Sequence, residues 1–302
     1  MEIDRVQFLT WLAASPEIED ITLSHVSFSS ESDAPDPEMQ PLHCLRRLVI
    51  KDMKEEGIAW LFAISALTPE TAVLLDDVPL MAESEAAAIP HYPVTESVTR
   101  LAVWHTYSST FMMATGSSAG LRQKSRDVPE TPSIDSSIRL RFPLINVTEF
   151  WCISMSVSRV EMDMRLLLSE MPALSTLAVD EIDLPRLIQA LSPSAQNGEY
   201  AAQAICPNLC VLHIIIWRHR DAQNILGSLD AVLSARKRAG CPLQRLILHS
   251  NPKDLMFRDP RASFSGIQSE WKRHREWTSL NLEMPEVCAQ PAHRHWSPWS
   301  IF

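Results

Sequence analysis

Ser118 is the residue whose neighbours most resemble a reactive site. It lies within Gly116-Ser-Ser118-Ala-Gly120, which fits the G-x-S-x-G pattern of a nucleophile elbow. In that chemistry the serine hydroxyl attacks a carbonyl carbon after activation by a histidine and an acid. The elbow also needs a helix after the serine, whereas the segment that follows is polar and soon reaches Pro129. A serine hydrolase using Ser118 is therefore an alternative and not our main hypothesis.

Cysteines and histidines offer a second kind of chemistry, metal binding. The candidate ligands are Cys206 with Cys210, and Cys288 with His293 and His295. Structural zinc sites usually take four ligands in short paired spacings, and neither group has a second pair. The seven glycines form neither a P-loop nor a G-x-G-x-x-G phrase. We therefore expect no metal and no cofactor.

Two basic clusters that contain tryptophan, Trp217 to Arg220 and Trp271 to Trp277, could contact nucleic acid. The chain is acidic in its first third and basic in its last, with a net charge of -10. A basic footprint usually dominates nucleic-acid-binding domains, so the total charge argues against this function. Nucleic-acid binding by the C-terminal third stays a second alternative.

A repeated phrase indicates which elements position these side chains. A proline is followed by apolar residues at offsets of two, five, seven and ten in four copies, which begin at Pro16, Pro143, Pro172 and Pro207. Looser copies without the aligned proline run through 45–50, 73–78, 98–103, 243–248 and 277–282. Copies start about 25 to 35 residues apart, except for one longer gap before Ile145, and this is near or somewhat above the leucine-rich-repeat period.

Alternation of apolar and polar residues in each copy predicts a short strand with one buried face. Helical spacing between copies predicts helices over 3–14, 57–67, 160–171 and 221–239. We therefore predict one α/β leucine-rich-repeat solenoid over residues 1–302. A parallel strand ladder forms its concave face and helices form its convex face. Residues 29–41 are expected to be a loop, 105–143 a flexible insertion and 285–302 a polar tail.

The P-x-L-x-x-L-x-L phrase, its irregular spacing and the Trp-rich, Gly-poor composition resemble the repeat half of fungal, basidiomycete-like F-box proteins. The resemblance covers Pro16 to Leu282. It implies repeats that select a substrate and an F-box that binds the Skp1-type adaptor of a cullin ubiquitin ligase. We find no F-box phrase near the start, where the predicted helix leads directly into the first repeat. A Skp1-type adaptor is expected only if an F-box lies upstream.

Two absences indicate where the chain resides. No apolar run reaches the roughly 18 residues that span a bilayer, and Met1 to Asp4 does not begin a signal peptide. Six cysteines without a C-x-x-C pair fit reduced thiols. We expect a cytoplasmic or nuclear protein without membrane contact.

The repeat register predicts a binding site. If the residues at offsets five and seven are buried, those at offset eight project from the concave face. This row includes the candidate partner-binding residues Lys51, Asp76, Trp104, Trp151, Asp180 and His249. Trp104 and Trp151 fall on successive strands, and exposed aromatic residues are favoured in binding hot spots. The alternative is that the insertion folds over both tryptophans. The sequence therefore predicts a protein-interaction scaffold, not an enzyme, with an unidentified protein partner.

Overall fold

The chain has an α/β fold with a large, mostly parallel sheet. The computed structural model describes residues 1–29, 40–78, 97–106, 108–126, 138–139, 141–154, 162–192, 204–217, 222–250, 267–273, 284–290, 293–296 and 299. In chain order, its elements are β1 (Glu2–Asp4), α1 (Arg5–Ala13), β2 (Asp20–Ser24), β3 (Ser27–Ser29), β4 (Gln40–Pro41), β5 (Arg47–Lys51), α2 (Glu55–Ile64), β6 (Ser65–Ala66), β7 (Ala72–Asp76), β8 (Arg100–His105), β9 (Ser109–Thr115), β10 (Gly120–Arg126), β11 (Glu149–Ser154), α3 (Met164–Ser169), β12 (Thr176–Asp180), α4 (Leu184–Leu191), β13 (Val211–Ile215), α5 (Ala222–Arg238), β14 (Arg245–Ser250), β15 (Gln268–Arg273) and α6 (Glu286–Ala289).

The chain divides into two compact units. The first comprises residues 1–99, 108–143 and 283–300. Its main strands follow the order β2, β5, β7, β10 and β9. Neighbours are parallel except for β9 and β10, which form an antiparallel hairpin. The pairs β1–β3 and β4–β6 form two small additional sheets.

The second unit comprises residues 100–107, 144–282 and 301–302. Its strands β8, β11, β12, β13, β14 and β15 pair in that order, and every pairing is parallel. Apolar side chains at the second and fourth strand positions are buried in β8, β11, β12, β13 and β14, as in the pair Leu177 and Val179. Except in β11, these are the buried offsets that the repeated phrase predicts.

A recurring backbone arrangement joins neighbouring strands at their starts. The carbonyl oxygen of Glu19 accepts hydrogen bonds from the backbone N–H groups of both Arg46 and Arg47, at 2.7 and 3.0 Å. In the second unit the carbonyls of Thr148, Ser175 and Cys210 each accept two consecutive N–H groups in the same way. Both units are therefore built from the same strand-starting geometry, and no particular side chain is needed for it.

The strand ends of the first unit also repeat. The residues after β2, β5 and β7 are His25, Asp52 and Asp77, and all three have positive φ values of 54°, 47° and 56°. Asp and His tolerate this left-handed backbone better than most residues other than glycine. The N–H of His25 donates to Lys51, and that of Asp52 donates to Asp76. The turn thus keeps successive chain segments aligned after the strands end.

Helices form where amphipathic spacing predicts them, although their bounds differ. Helix α1 begins after Asp4, whose side chain accepts the N–H of Gln7, and it buries Phe8 and Leu12. Helix α5 ends in three basic residues before Gly240, which has a φ of 80°. Helix α4 was not predicted, because the helix is only eight residues long and has a proline in its first turn. Over the described residues, none of the helices has the length and apolar character needed to cross a bilayer.

The segment predicted to be a flexible insertion contains regular structure. Within residues 105–143, β9 and β10 form a hairpin, and buried positions predominate along β9. Ser, Thr and Gly were interpreted as loop formers, but the polar side chains of Thr110, Thr115 and Ser125 are buried here. Residues 107, 127–137 and 140 of this segment lie outside the described part of the chain.

The repeat prediction is wrong in detail at two places. In the copy at Pro143, Ile145 is 61% exposed and Phe150 pairs with Leu177, so the offsets are displaced by two residues. The ninth copy, 277–282, lies outside the described residues, whereas β15 forms earlier, over Gln268–Arg273. The copies that run through β2, β5, β7, β8, β12, β13 and β14 do coincide with strands.

Candidate protein-binding site

One side of the sheet in the first unit carries half-exposed polar residues beside four buried ones, Arg47, Val49, Ala72 and Gly120. The residues of β2, β5, β7 and β10 whose side chains point to this side, here called the polar face, are Asp20, Thr22, Ser24, Arg47, Val49, Lys51, Ala72, Leu74, Asp76, Gly120, Arg122 and Lys124. Side chains alternate between the two sides of a strand, so this set follows directly from the register. The opposite side, with Leu48, Ile50, Val73 and Leu75, is buried.

Ion pairs cross the polar face at the position predicted as offset eight. Register aligns Ser24, Lys51, Asp76 and Lys124 in one row. The Nζ of Lys51 lies 3.5 Å from one oxygen of Asp76, and the Nζ of Lys124 lies 3.7 Å from the other. Lys124 also reaches Asp77, at 3.1 Å. The structure therefore brings together the predicted pair Lys51 and Asp76 in a charged row.

Arg122 lies two positions nearer the strand start than Lys124, on the same face. Burial lowers the pKa of its guanidinium, and the carboxylate of Asp76 opposes that shift. With Arg122 included, this part of the face holds three positive charges against the two of Asp76 and Asp77. The setting is partly dehydrated, and electrostatic interactions there are stronger than in bulk water.

The C-terminal segment, of which the structure describes residues 284–290, 293–296 and 299, lies on the starting end of the polar face. The Nε of Arg47 donates to the carbonyl of Val287 at 3.4 Å, and its guanidinium lies 5.9 Å from the ring centre of Trp296. A Cβ built at Gly120 would lie 2.8 Å from Trp299 and 2.9 Å from the Ala114 carbonyl oxygen, so a larger residue here would force its neighbours to shift. The sequence predicted a polar tail here, yet Val287, Cys288, Trp296 and Trp299 are buried.

The corresponding side of the second unit is buried instead of half-exposed. Side chains at offsets six and eight include Ala102, Trp104, Trp151, Ala178, Asp180, His213, Ile215, Ile247 and His249, and each is at most 6% exposed. Four of the predicted binding residues, Trp104, Trp151, Asp180 and His249, are in this set. Their role in partner binding stays a prediction. Their burial shows that no partner reaches them while this arrangement holds.

Trp104 and Trp151 do not share a row. Register pairs Trp104 with Ile153, and pairs Trp151 with Ala102 and Ala178. The predicted alignment failed because the copy at Pro143 is displaced by two residues. Trp151 instead contacts His213, with ring centres 5.5 Å apart, and its indole N–H donates to Glu149 at 2.8 Å.

His213 and His249 form a buried stacked pair. Their rings are 5.4 Å apart and inclined by 13°, and Nδ1 of His213 lies 3.1 Å from Nε2 of His249. Burial, together with the positive charges of Lys272 and Arg245, lowers the pKa of His213 to about 4. The imidazole of His213 is therefore neutral at physiological pH and serves as a packing and hydrogen-bonding group.

Asp180 organises the end of β12. Its carboxylate accepts the backbone N–H groups of Ile182 and Asp183, and it also accepts that of Ser154 on the neighbouring strand. Asp183 in turn accepts the Ser154 hydroxyl at 2.9 Å and a guanidinium N–H of Arg186 at 2.9 Å. Burial and the charge of Asp183 raise the pKa of Asp180 to about 7, against these hydrogen bonds. This network explains Asp180 as a structural residue that ties two strands together.

The candidate nucleophile lies in a different setting from an elbow. Ser118 is exposed in the turn between the antiparallel strands β9 and β10, and its hydroxyl donates to the carbonyl of Pro69 at 3.3 Å. A nucleophile elbow joins a strand to a helix. The hairpin therefore lacks the local geometry on which the hydrolase alternative depends.

Two of the thiols among the candidate metal ligands contact backbone carbonyl groups near them. The thiol of Cys206 lies 3.2 Å from the Leu168 carbonyl, and that of Cys210 lies 3.3 Å from the Ser175 carbonyl. Burial raises the pKa of the Cys206 and Cys288 thiols to about 12. Within the described ranges, three or more metal-ligating side chains are nowhere grouped as an ion would require.

The basic clusters lie only partly within the described ranges. Trp217 is half-buried, but residues 218–220 and 274–277 lie outside the described part of the chain. Lys272 projects from β15 within 3.8 Å of Glu270, which also pairs with Arg245 at 3.2 Å. The described basic side chains of β14 and β15 therefore neutralise a neighbouring acid.

Sequence reasoning missed Arg47, Arg122, Lys124, His213 and Asp183. Alternation within 120–126, which places Arg122 and Lys124 on one side, could have identified the strand that carries two of them. Arg47 lies on the predicted strand through residues 45–50 and pairs with Ala72, but it was not recognised as a candidate binding residue. No local signal marks the stacking of His213 on His249, because the pairing depends on the register between strands.

Searches with protein-family models, curated proteins and solved structures found no match to this chain.

Proposed function

We propose that this chain is a protein-interaction module, built as an irregular leucine-rich-repeat solenoid, that binds a protein partner through the polar face of its first unit. The observation that carries the proposal is the row of half-exposed, charged side chains that Lys51, Asp76 and Lys124 form on three neighbouring parallel strands. Charged side chains held on adjacent strands give orientation and steering to an approaching protein.

Repeating backbone geometry supports the solenoid part of the proposal. The doubly accepting carbonyl at strand starts recurs in both units, and parallel pairing with constant register is what stacked repeats require. The resemblance to the repeat half of fungal F-box proteins suggests that such a surface recognises a substrate protein. We infer a substrate receptor in the cytoplasm or nucleus, with a Skp1-type adaptor engaged only through an F-box.

The test is quantitative affinity capture with a matched charge control. Lys51→Glu with Lys124→Glu reverses two charges of the row, whereas Lys237→Glu with Arg238→Glu reverses two exposed charges at the end of α5. We expect a partner that is retained by the wild type and by the α5 variant, and is reduced at least tenfold with the row variant.

The captured partner is then purified and titrated by calorimetry against all three proteins. Because the row acts through charge, its affinity should also fall as salt concentration rises. Equal affinity for the wild type and the row variant would contradict binding through the polar face. Covalent labelling of Ser118 by a fluorophosphonate probe, absent in Ser118→Ala, would favour the hydrolase alternative instead.

A further inference from the structure

We propose that the C-terminal segment, residues 284–299, is an internal ligand of the polar face, and that a partner segment with two aromatic side chains three residues apart displaces it. This inference rests on the proposed function, because it identifies the chemistry that the same face recognises. It concerns only contacts within the first unit.

The two tryptophans of the segment occupy defined positions. Arg47, Ala72 and Gly120 lie on three successive strands, at the starting end of the polar face. Trp296 lies over the Arg47 guanidinium and Trp299 lies against Gly120. Strands are about 4.8 Å apart, so two aromatic rings span this row. Trp296 and Trp299 are three positions apart in sequence, and their ring centres are 5.5 Å apart.

The segment is attached to the sheet by side chains and not by strand pairing. In the part of the chain that the structure describes, the backbone hydrogen bonds of the segment stay within it, as from Trp299 to Cys288 and from Gln290 to Glu286. The hydrogen bond from Arg47 to the Val287 carbonyl is 3.4 Å long, beyond the usual range for N–H···O. A segment that folds on itself can leave the sheet without breaking the parallel ladder.

The fit of the segment is also incomplete. The indole N–H groups of Trp296 and Trp299 are buried and have no hydrogen-bond partner among the described residues. Buried donors without acceptors weaken an association relative to one that satisfies them. The pKa of His295 is lowered, first by burial and then by the positive charges of Arg294 and Lys51. The segment thus places positive charge near a lysine of the face.

These mismatches define a better ligand. Such a ligand keeps the aromatic pair, which fits Arg47 and Gly120, and offers acceptors to any buried indole N–H. It also carries an acidic side chain in place of Arg294, because the charges of Arg294 and Lys51 both act on His295. The predicted partner is therefore a peptide segment with an aromatic pair and neighbouring acidic residues. Tethering alone lets the poorer internal ligand compete, because it raises its effective concentration to the millimolar range.

Hydrogen exchange of the wild-type full chain provides the first test. We expect the backbone N–H of Trp299 to exchange at least a hundredfold faster than that of Ile50 in β5, since the segment opens while the ladder persists. Equal exchange rates would show that the segment is a permanent part of the fold, and would overturn the proposal.

A peptide titration provides the second test. The probe is a labelled synthetic peptide of residues 284–302, added to the wild type, to Trp296→Ala with Trp299→Ala, and to the control Trp11→Ala, which removes a tryptophan 45% exposed on α1. We expect the double variant to bind the peptide at least tenfold more tightly than the wild type and the control do. A peptide with Arg294→Glu should bind more tightly still, and one without both tryptophans should not bind.

Unchanged affinity in the double variant, or binding that survives loss of the peptide's tryptophans, would refute the internal-ligand proposal. If the double variant does not fold, the exchange measurement on the wild type decides the matter. Charge reversal of Lys51 and Lys124 tests the proposed function separately. Loss of partner capture in that variant, with slow exchange at Trp299, would leave the proposed function standing without the internal ligand.

Discussion

The two units use the same backbone for opposite purposes. In the first unit, Lys51, Asp76 and Lys124 project from their strands and stay half-exposed. In the second, Asp180 and His249 occupy the corresponding positions and are buried. Strand alternation therefore determines the side of the sheet on which a residue lies, but what packs over that side determines whether solvent or a partner can reach it. Predictions about each unit can break or sharpen this contrast.

The largest expected effect is the loss of a buried tryptophan in the second unit. Trp151→Ala should lower the free energy of unfolding by about 3 to 5 kcal/mol, because it removes a fully buried ring and leaves a cavity. The control Trp11→Ala, at a residue 45% exposed on α1, should cost about 1 kcal/mol or less. Chemical denaturation measures both. An equal decrease in the free energy of unfolding for both variants would contradict the burial of Trp151.

Asp180 should make the second unit less stable as pH rises. Its pKa is about 7 in the folded chain against an ordinary 3.8, so folding favours the protonated carboxyl. The contribution to stability is full below pH 3.8 and is lost as pH rises through 7. Three pKa units correspond to about 4 kcal/mol. Denaturation curves from pH 4 to 8 should show this slope in the wild type relative to Asp180→Asn, and parallel curves would refute it.

His213 should make the second unit less stable as pH falls, which is opposite to the effect of Asp180. Its pKa is lowered from 6.5 to about 4, so the neutral ring is favoured in the folded chain. Its contribution is present above pH 6.5 and is lost as pH falls through about 4. The shift corresponds to about 3 kcal/mol. Because Asp180 and His213 oppose each other, His213→Gln should reveal the Asp180 slope more steeply. NMR titration of the His213 ring checks the pKa directly, and a midpoint near 6.5 would contradict burial.

The smallest effect belongs to the charged row of the first unit. Lys51 and Asp76 are 29% and 30% exposed in their side chains, so solvent screens their attraction. A double-mutant cycle with Lys51→Ala and Asp76→Ala should give a coupling free energy of about 1 kcal/mol or less. Denaturation of the four proteins provides the cycle. A coupling well above about 2 kcal/mol would mean that this face is as dry as that of the second unit.

Local patterns predicted much of the fold. The apolar pairs of the repeated phrase coincide with strands, because apolar residues at alternate positions are typical of a strand with one buried face. Helix α5 was predicted almost to its bounds, because it is long and ends in basic residues before Gly240. The hairpin β9–β10 was missed, because its buried threonines and serines look like loop residues until the strands are paired.

The candidate site was predicted in part. Register aligned Lys51 with Asp76 correctly, because the copies at β5 and β7 have constant spacing from their strands. Trp151 was misplaced because proline at position 143 was taken as the start of its copy, whereas Val147 and Phe150 are the buried residues. The seating of Trp296 on Arg47 joins positions 249 residues apart in sequence, and no local pattern encodes such a contact.

The hairpin also has a consequence for how the first unit folds. Its strands are joined by a turn in which the Gly116 N–H donates to the Ala119 carbonyl, so its ends meet after a very short loop closes. Hairpins form in microseconds, whereas parallel neighbours must first close loops of roughly 20 residues or more. The β9–β10 pair is therefore ready before the ladder exists, and β7 gains a preformed edge on which to add.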